Sequence, residues 1–142
     1  MIYLDTSVLV KLYAPEPDSR TVAASVREDP QIVVSDLTRL EFASAVARLT
    51  REGLLPGARG RTLIQRLEKD WSAFTRVRVS DEVLVAAQAL LWRHPLRTLD
   101  ALQLGTALIV TRSAPTALRF GTADRRLAEA AEAEGLAPLQ PR

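Results

Sequence analysis

Four acidic residues of this 142-residue chain lie where short apolar runs end or where helical segments begin. Asp5 directly follows the first apolar run, and Asp124 follows a later one. Glu41 and Asp100 lie in the first turns of segments with helical spacing. Carboxylate oxygens are the ligands that Mg²⁺ and Mn²⁺ prefer, and a divalent cation relieves the repulsion between clustered acids. If the fold gathers the four acids, they predict a site for metal-assisted hydrolysis.

Two of these acids, Asp100 and Asp124, each stand two residues after a threonine at the start of a predicted helix. The pattern predicts that Thr98 caps its helix and that Thr122 or Asp124 caps the last one. A threonine cap would leave the carboxylate two residues further on at the helix end. The alternative is that the acids themselves stabilise the helix N-termini, where free N–H groups and the helix dipole favour negative charge. For either acid taken alone, the structural explanation is the better one.

The other two acids have weaker structural explanations. Asp5 ends a predicted buried strand, where an acid rarely stabilises the fold. Glu41 borders an apolar helix face, and a carboxylate near a core needs a partner. An ion pair with Arg39 or Arg48 is the structural alternative for Glu41. Ser35 or Asp36 should cap the helix after the second strand, so Asp36 is better explained as a helix cap than as a site residue.

The elements that must position the acids alternate between strands and helices. β-Branched and apolar runs predict strands at residues 2–4, 32–34, 77–79 and 118–121, with a short edge strand at 138–139. The helical segment at 99–111 is apolar nearly all round and should be buried. Prolines 15, 17 and 30 should interrupt the first helices. This alternation predicts an α/β fold with a mostly parallel sheet, in which sites form beyond the carboxyl ends of the strands.

The composition excludes several kinds of chemistry. The chain has no cysteine, which excludes disulfides, a thiolate nucleophile and a thiolate metal site. No apolar stretch approaches the length of a transmembrane helix, and the first residues lack the pattern of a signal peptide. We therefore expect a single domain over residues 1–142 in a soluble cytoplasmic protein.

The charge balance is compatible with a polyanionic substrate. The chain carries 19 basic and 17 acidic residues, so gathering four acids in one pocket leaves 19 − 13 = +6 on the rest. A negative pocket on a positive body suits a polyanion that is bound together with a divalent cation. An arginine-rich composition without functional meaning explains the same charge equally well.

Four parts of the sequence together resemble PIN-domain proteins of the VapC-like toxin branch of type II toxin–antitoxin systems. The matching parts are residues 1–7, Glu41 in its helix, residues 96–104 and residues 120–127. The resemblance covers essentially the whole chain, and its specificity comes from the joint order and position of these short motifs. Gly105 stands where many relatives have alanine, a difference that should affect packing and not the site.

The resemblance implies a three-layer α/β/α sandwich and Mg²⁺- or Mn²⁺-dependent cleavage of RNA. Asp5, Glu41, Asp100 and Asp124 match the acidic quartet of the family, and Thr122 matches a hydroxyl position beside the last acid. We expect Asp5, Asp100 and Asp124 to hold the metal. The resemblance also implies a small antitoxin partner and a homodimer, for which the helices carrying Trp71 and Trp92 would supply apolar faces.

Other residues give weaker signals. Thr6 and Thr122 place hydroxyls beside two acids, and Arg125 could contact a phosphate, although a solvated helix face explains Arg125 as well. We expect Thr6, Thr122 and Arg125 to bind the substrate. His94, the only histidine, is better explained as the partner of a helix C-terminus than as a general base.

Two other functions remain open at this stage. One is another Mg²⁺-dependent phosphohydrolase. An aspartyl-nucleophile phosphatase would need a second aspartate two residues after Asp5, where this chain has Ser7. The other is a PIN-like interaction module without catalysis, which the intact set of four acids disfavours.

Overall fold

The computed structural model describes residues 1–14, 19–29, 31–114 and 116–139, and all five strands in this part of the chain are parallel. The strands are β1 (Ile2–Leu4), β2 (Ile32–Ser35), β3 (Thr75–Val77), β4 (Arg119–Gly121) and β5 (Ala137–Pro138). They form one sheet in the order β3-β2-β1-β4-β5, with β1 at the centre. The predicted parallel sheet is confirmed, while prolines 15, 17 and 30 lie outside the described residues.

Seven α-helices connect or follow the strands within the same described ranges. They are α1 (Thr6–Tyr13), α2 (Ser19–Arg27), α3 (Leu37–Arg51), α4 (Gly57–Asp70), α5 (Asp81–Arg93), α6 (Thr98–Ser113) and α7 (Arg125–Ala133). A short 3-10 turn at Trp71–Ala73 extends α4. None of the helices described here has both the length and the apolar character needed to cross a membrane.

The third strand differs from its prediction. It covers Thr75–Val77 and not residues 77–79, and it pairs with β2 through Val33 opposite Thr75 and Ser35 opposite Val77. The cause is its place at the edge of the sheet, where Thr75 and Arg76 are exposed. An exposed edge strand needs no run of apolar side chains, so the apolar pattern did not locate it.

Side chains of the central strand alternate between two separate cores, as successive strand residues must. Ile2 and Leu4 pack with residues of α1 to α4 on one face of the sheet. Tyr3 packs with residues of α5 to α7 on the other face and stacks on Phe120. The two cores define three layers, helix–sheet–helix, and thus confirm the predicted sandwich.

The helices α5 and α6 approach each other closely at Gly105. A Cβ atom on Gly105 would lie 3.0 Å from the backbone nitrogen of Ala87 and 3.2 Å from the carbonyl oxygen of Val83. The backbone of α5 therefore occupies the space that an alanine side chain would need. This contact gives the glycine the packing role that was expected for it.

The two tryptophans have different environments. Trp71 is buried in the core formed by α1 to α4, where its ring meets Phe74 edge-on. Trp92 is 88% exposed near the end of α5. The expectation that each tryptophan belongs to a core or an interface is thus met by Trp71 within the chain, and the face carrying Trp92 stays available to a partner.

Candidate active site

Asp5 lies at the end of β1 and caps α1. Its Oδ1 accepts hydrogen bonds from the backbone nitrogens of Ser7 (2.9 Å) and Val8 (3.2 Å) and from Ser7 Oγ (2.6 Å). The side chain is nearly buried, and burial raises the pKa of Asp5 although these bonds stabilise its ionised form. The expectation that Asp5 lacks a structural role was wrong: α1 begins at Thr6, and Asp5 therefore occupies the N-cap position.

The loop after β4 brings Thr122 and Asp124 to Asp5. Leu4 and Gly121 are opposite each other in the parallel pair β1–β4, so the residues that follow them leave the sheet side by side. Thr122 Oγ1 donates to Asp5 Oδ2 (2.8 Å) and accepts from the backbone nitrogen of Asp124 (3.0 Å). Asp124 itself caps α7 by accepting from the backbone nitrogen of Leu127 at 3.1 Å.

Asp100 lies in the first turn of α6 and faces Arg97. Arg97 Nε is 3.3 Å from Asp100 Oδ2, and its Nη2 is 3.6 Å from Asp124 Oδ2. Thr98 does not cap α6 as predicted, because it is the first residue of that helix, whereas Asp124, one of the two predicted caps of α7, does cap it. Arg97 therefore contacts two of the four acids.

Glu41 lies in α3 with its carboxylate turned toward α6. Gln103 Nε2 donates to Glu41 Oε1 at 2.5 Å. The ion-pair alternative for Glu41 was wrong, because Arg39 pairs with Glu68 and Arg48 lies 4.0 Å from Glu52. Burial raises the pKa of Glu41, and the charges of Asp5 and Asp100 add to this effect, while bonds from Gln103 and Thr6 oppose it.

All four acids line one open cavity of about 650 Å³ at the carboxyl ends of the central strands. Its wall also contains seven polar or basic residues: Thr6, Ser7, Lys11, Ser44, Arg48, Arg97 and Gln103. Apolar side chains such as Leu40 and Leu99 complete the wall. The structure thus brings together the quartet that the sequence singled out, from four different elements of the fold.

The remaining predicted residues have different places. Thr6 lines the cavity, whereas Thr122 and Arg125 line a shallow depression beside Asp124. The Arg125 side chain is 87% exposed and pairs with Glu129 at 2.9 Å. His94 follows α5 as its C-cap, which agrees with the expected structural role. Its Nε2 lies 2.7 Å from Glu134 Oε1, so its side-chain partner is a carboxylate.

Asp36 lies outside the acidic cavity. It precedes α3 but makes no side-chain cap hydrogen bond, and Ser35 Oγ accepts from the backbone nitrogen of Leu37 in its place (3.2 Å). The expectation that Asp36 caps the helix through its side chain was therefore wrong, although its exclusion from the site is consistent with the cavity lining.

Gln103 and Tyr3 are the polar residues at the site that the sequence interpretation missed. Both are buried, and Tyr3 Oη donates to Gln103 Oε1 at 2.6 Å. A signal for Gln103 was present, since a glutamine in a helix that is apolar nearly all round must be buried and needs partners. Its spacing of three residues from Asp100 also places it on the same face of α6.

The donor set of the cavity fits a hard divalent cation. It offers four carboxylates and the hydroxyls of Thr6 and Ser7, and neither sulfur nor imidazole is among its lining residues. As the side chains are arranged, no three His, Cys, Asp or Glu residues in the described ranges converge closely enough to hold a metal ion. Arg97, between Asp100 and Asp124, supplies positive charge to two of the acids.

Comparison with known proteins assigns the chain to one family. The family model of the PIN domain matches residues 2–133. This chain therefore belongs to the PIN-domain family, which confirms the resemblance found in its sequence.

Particular relatives are similar over nearly the whole chain. Ribonuclease VapC35 of Mycobacterium tuberculosis is 36% identical over 147 residues, which cover 99% of this chain and 97% of that protein. The crystal structure of FitAcB from Neisseria gonorrhoeae has a TM-score of 0.73 at 23% identity and covers 99% of this chain and 98% of that chain. A toxin–antitoxin complex from Klebsiella pneumoniae has a TM-score of 0.65 at 20% identity, with 90% and 91% covered. The two structures confirm the fold.

Proposed function

We propose that this chain is a metal-dependent endoribonuclease and the toxin of a toxin–antitoxin pair. The observation that carries the proposal is the single cavity in which Asp5, Glu41, Asp100 and Asp124 meet. The similarity to a protein named a ribonuclease over nearly its full length supports the same activity. PIN-domain ribonucleases depend in general on a divalent metal, and the donor set of this cavity fits one.

Asp5, Asp100 and Asp124 would hold the cation, which we propose is Mg²⁺ or Mn²⁺ because all the donors are hard oxygens. When bound, such a cation polarises a phosphoryl oxygen and lowers the pKa of a bound water. Asp5 is the most firmly oriented of the three, since Ser7, Val8 and Thr122 all donate to it. Glu41, on α3, would complete the metal site directly or through a water molecule.

The residues around the acids suit an RNA phosphodiester. Thr6, Lys11, Arg48 and Arg97 line the cavity with donors that can bind phosphate oxygens, and Arg125 lies just beyond Asp124. We keep Thr6 and Arg125 as substrate-binding residues. Thr122 already donates to Asp5, so we propose that it acts on the substrate by holding that carboxylate. Hydrolysis by water should leave a 5′-phosphate and a 3′-hydroxyl.

A small cognate antitoxin is the proposed protein partner. One similar structure is of a toxin–antitoxin complex from Klebsiella pneumoniae, and another is of FitAB bound to a DNA fragment. An acidic cavity also attracts guanidinium groups, as Arg97 shows within this chain. An arginine of the antitoxin placed among the four acids would block the site. A homodimer, a single domain over residues 1–142 and a cytoplasmic location stay predictions.

The competing functions have less support. If the chain were another Mg²⁺-dependent phosphohydrolase, its activity would differ from that of relatives named ribonucleases to which it is similar over nearly its full length. A non-catalytic module would have no need to keep four acids in one cavity, because their mutual repulsion opposes folding.

The proposal is tested by incubating the purified chain with RNA in chelator and after addition of Mg²⁺ or Mn²⁺. We expect cleavage only with added metal, and end-group analysis should find 5′-phosphates. Co-expression with the product of an adjacent antitoxin gene should suppress the cleavage. Equal cleavage in chelator, or no cleavage of any cellular RNA with either metal, would contradict the proposal.

A further inference from the structure

Gln103 connects four polar side chains beneath the acidic cavity. It lies on α6 and is only 3% exposed. Its Oε1 accepts from Tyr3 Oη at 2.6 Å, while its Nε2 lies 2.5 Å from Glu41 Oε1, 3.2 Å from Thr38 Oγ1 and 3.4 Å from Thr6 Oγ1. Strand β1 and helices α1, α3 and α6 are thus joined through one amide group.

The orientation of this amide follows from its partners. Tyr3 is fully buried, and its phenol Oη donates to Gln103 Oε1 at 2.6 Å. Only the carbonyl oxygen of an amide can accept that hydrogen bond. The amide NH₂ must therefore face Glu41, whose carboxylate accepts. Tyr3 fixes the orientation of Gln103, and Gln103 fixes the orientation of Glu41.

We propose that Gln103 is a positioning residue, held by Tyr3, that sets the place and orientation of the Glu41 carboxylate in the cavity. The inference rests on the proposed function, since it gives Glu41 its part in RNA cleavage. It goes beyond that function because it assigns Glu41 a supporting residue, Gln103, that is not itself one of the four acids. Outer partners that orient site carboxylates commonly contribute about ten- to hundredfold in activity or metal affinity.

A purely structural role for Gln103 predicts a different outcome. A buried polar group contributes to folding through its hydrogen bonds, and its loss would lower stability whether or not Glu41 is present. A positioning role acts only through Glu41. The two roles are separated by a double-mutant cycle, because effects that pass through a shared partner are not additive.

The test combines Gln103→Met, which keeps the chain length but removes donor and acceptor, with Glu41→Gln. In single-turnover cleavage we expect Gln103→Met alone to lower the rate by about ten- to hundredfold, with RNA affinity within about twofold. In the Glu41→Gln background, Gln103→Met should change the rate by less than about twofold. Tyr3→Phe should lower the rate less than Gln103→Met. Leu102→Ala, a packing change on the same helix, controls for lost stability.

The same cycle is measured by calorimetric titration with Mn²⁺, which needs no nuclease activity. We expect weaker Mn²⁺ binding in Gln103→Met and no further weakening when it is added to Glu41→Gln. Wild-type protein that cleaves no RNA would contradict the proposed function, and the Mn²⁺ cycle would still decide the role of Gln103. Independent, multiplying losses in both measurements, or unchanged Mn²⁺ affinity in Gln103→Met, would overturn the positioning role.

Discussion

Arg97 reaches from the start of α6 to Asp124 at the start of α7, with its Nη2 3.6 Å from Asp124 Oδ2. The same guanidinium contacts Asp100, so one positive charge serves two acids that we assign to the metal. Binding of a divalent cation must compete with this charge. Arg97 therefore lowers the affinity of the site for metal while it relieves repulsion in the metal-free protein.

Arg97→Gln should bind Mn²⁺ more tightly than the wild type. The Arg97 side chain is 75% exposed, and exposed ion pairs are worth about 0.2–1 kcal/mol, so we expect a rise of about two- to fivefold. Calorimetric titration at low ionic strength measures the change. Arg125→Gln is the matched control, because Arg125 pairs with Glu129 outside the cavity and should leave the affinity unchanged. Weaker Mn²⁺ binding in Arg97→Gln would show that Arg97 helps to hold the site together.

The stability of the metal-free protein should depend on Glu41 and pH together. Because burial raises the pKa of Glu41 in the folded state, the folded chain binds this proton more readily than the unfolded chain. Stability then falls as pH rises from the ordinary glutamate value of 4.5 through the raised folded value. Glu41→Gln should remove this loss of stability. In chelator, the melting temperature of Glu41→Gln should therefore increase relative to that of the wild type as pH rises.

Glu134 gives the opposite sign and serves as the control. Its hydrogen bond with Arg93 lowers its pKa, against the effect of burial, so its stabilising contribution is present at neutral pH and is lost as pH falls through the folded value. Glu134→Gln should therefore lower the melting temperature at neutral pH. A Glu41→Gln variant that also loses stability at pH 8, in chelator, would contradict the repulsion described for the cavity.

The exposed side of α5 offers a face for the predicted homodimer. Three exposed side chains lie on the same face of this helix, because Leu91 and Trp92 follow Leu84 by seven and eight residues. Sedimentation at roughly tens of micromolar should find a dimer, and Trp92→Gln should shift it toward the monomer. Leu54→Gln, at another exposed leucine, should have no effect. A monomeric wild type would contradict the prediction, and an unchanged dimer in Trp92→Gln would exclude this face.

Gly105→Ala should destabilise the fold despite the higher helix propensity of alanine. The added Cβ would lie 3.0 Å from a backbone atom of α5, which cannot move independently of its helix. Overpacking of this kind costs about 1–3 kcal/mol, more than the roughly 1 kcal/mol gained from propensity. Thermal unfolding measures the difference. Gly57→Ala is the control: its Cβ would meet only side chains, at 3.6 Å or more, and stability should be unchanged or higher.

The sequence predicted the fold well wherever hydrophobic periodicity was strong. β1 and β2 are buried and have clear apolar runs, so their positions were right. The edge strand β3 was displaced by two residues, because its exposed residues carry no such pattern. Helix starts were less accurate. Thr98 was predicted as the cap of α6 but is its first residue, and the choice between Thr122 and Asp124 as the cap of α7 depends on backbone geometry at single residues.

The gathering of the four acids followed from topology, since parallel strands end at the same edge of the sheet. The side chains that contact these acids could not be predicted in the same way. Glu41 pairs with Gln103, which is 62 residues away, and not with a nearby arginine. Such a contact depends on how α3 and α6 pack across the sheet edge, which no local pattern encodes. The Arg97–Asp124 pair has the same origin.

Asp5→Asn decides whether the acidic cavity is the catalytic site. Asparagine caps helices as well as aspartate does, so the contacts with Ser7 and Val8 can persist and the fold should remain intact. The matched control, Asp36→Asn, removes an acid that lies outside the cavity.

The decisive measurement is metal-dependent RNA cleavage by the two folded variants beside the wild type. Asp5→Asn should fall to the level seen in chelator, while Asp36→Asn should cleave as the wild type does. Circular dichroism and melting curves confirm that both variants are folded. Wild-type cleavage by a folded Asp5→Asn protein would contradict the assignment of this cavity as the active site.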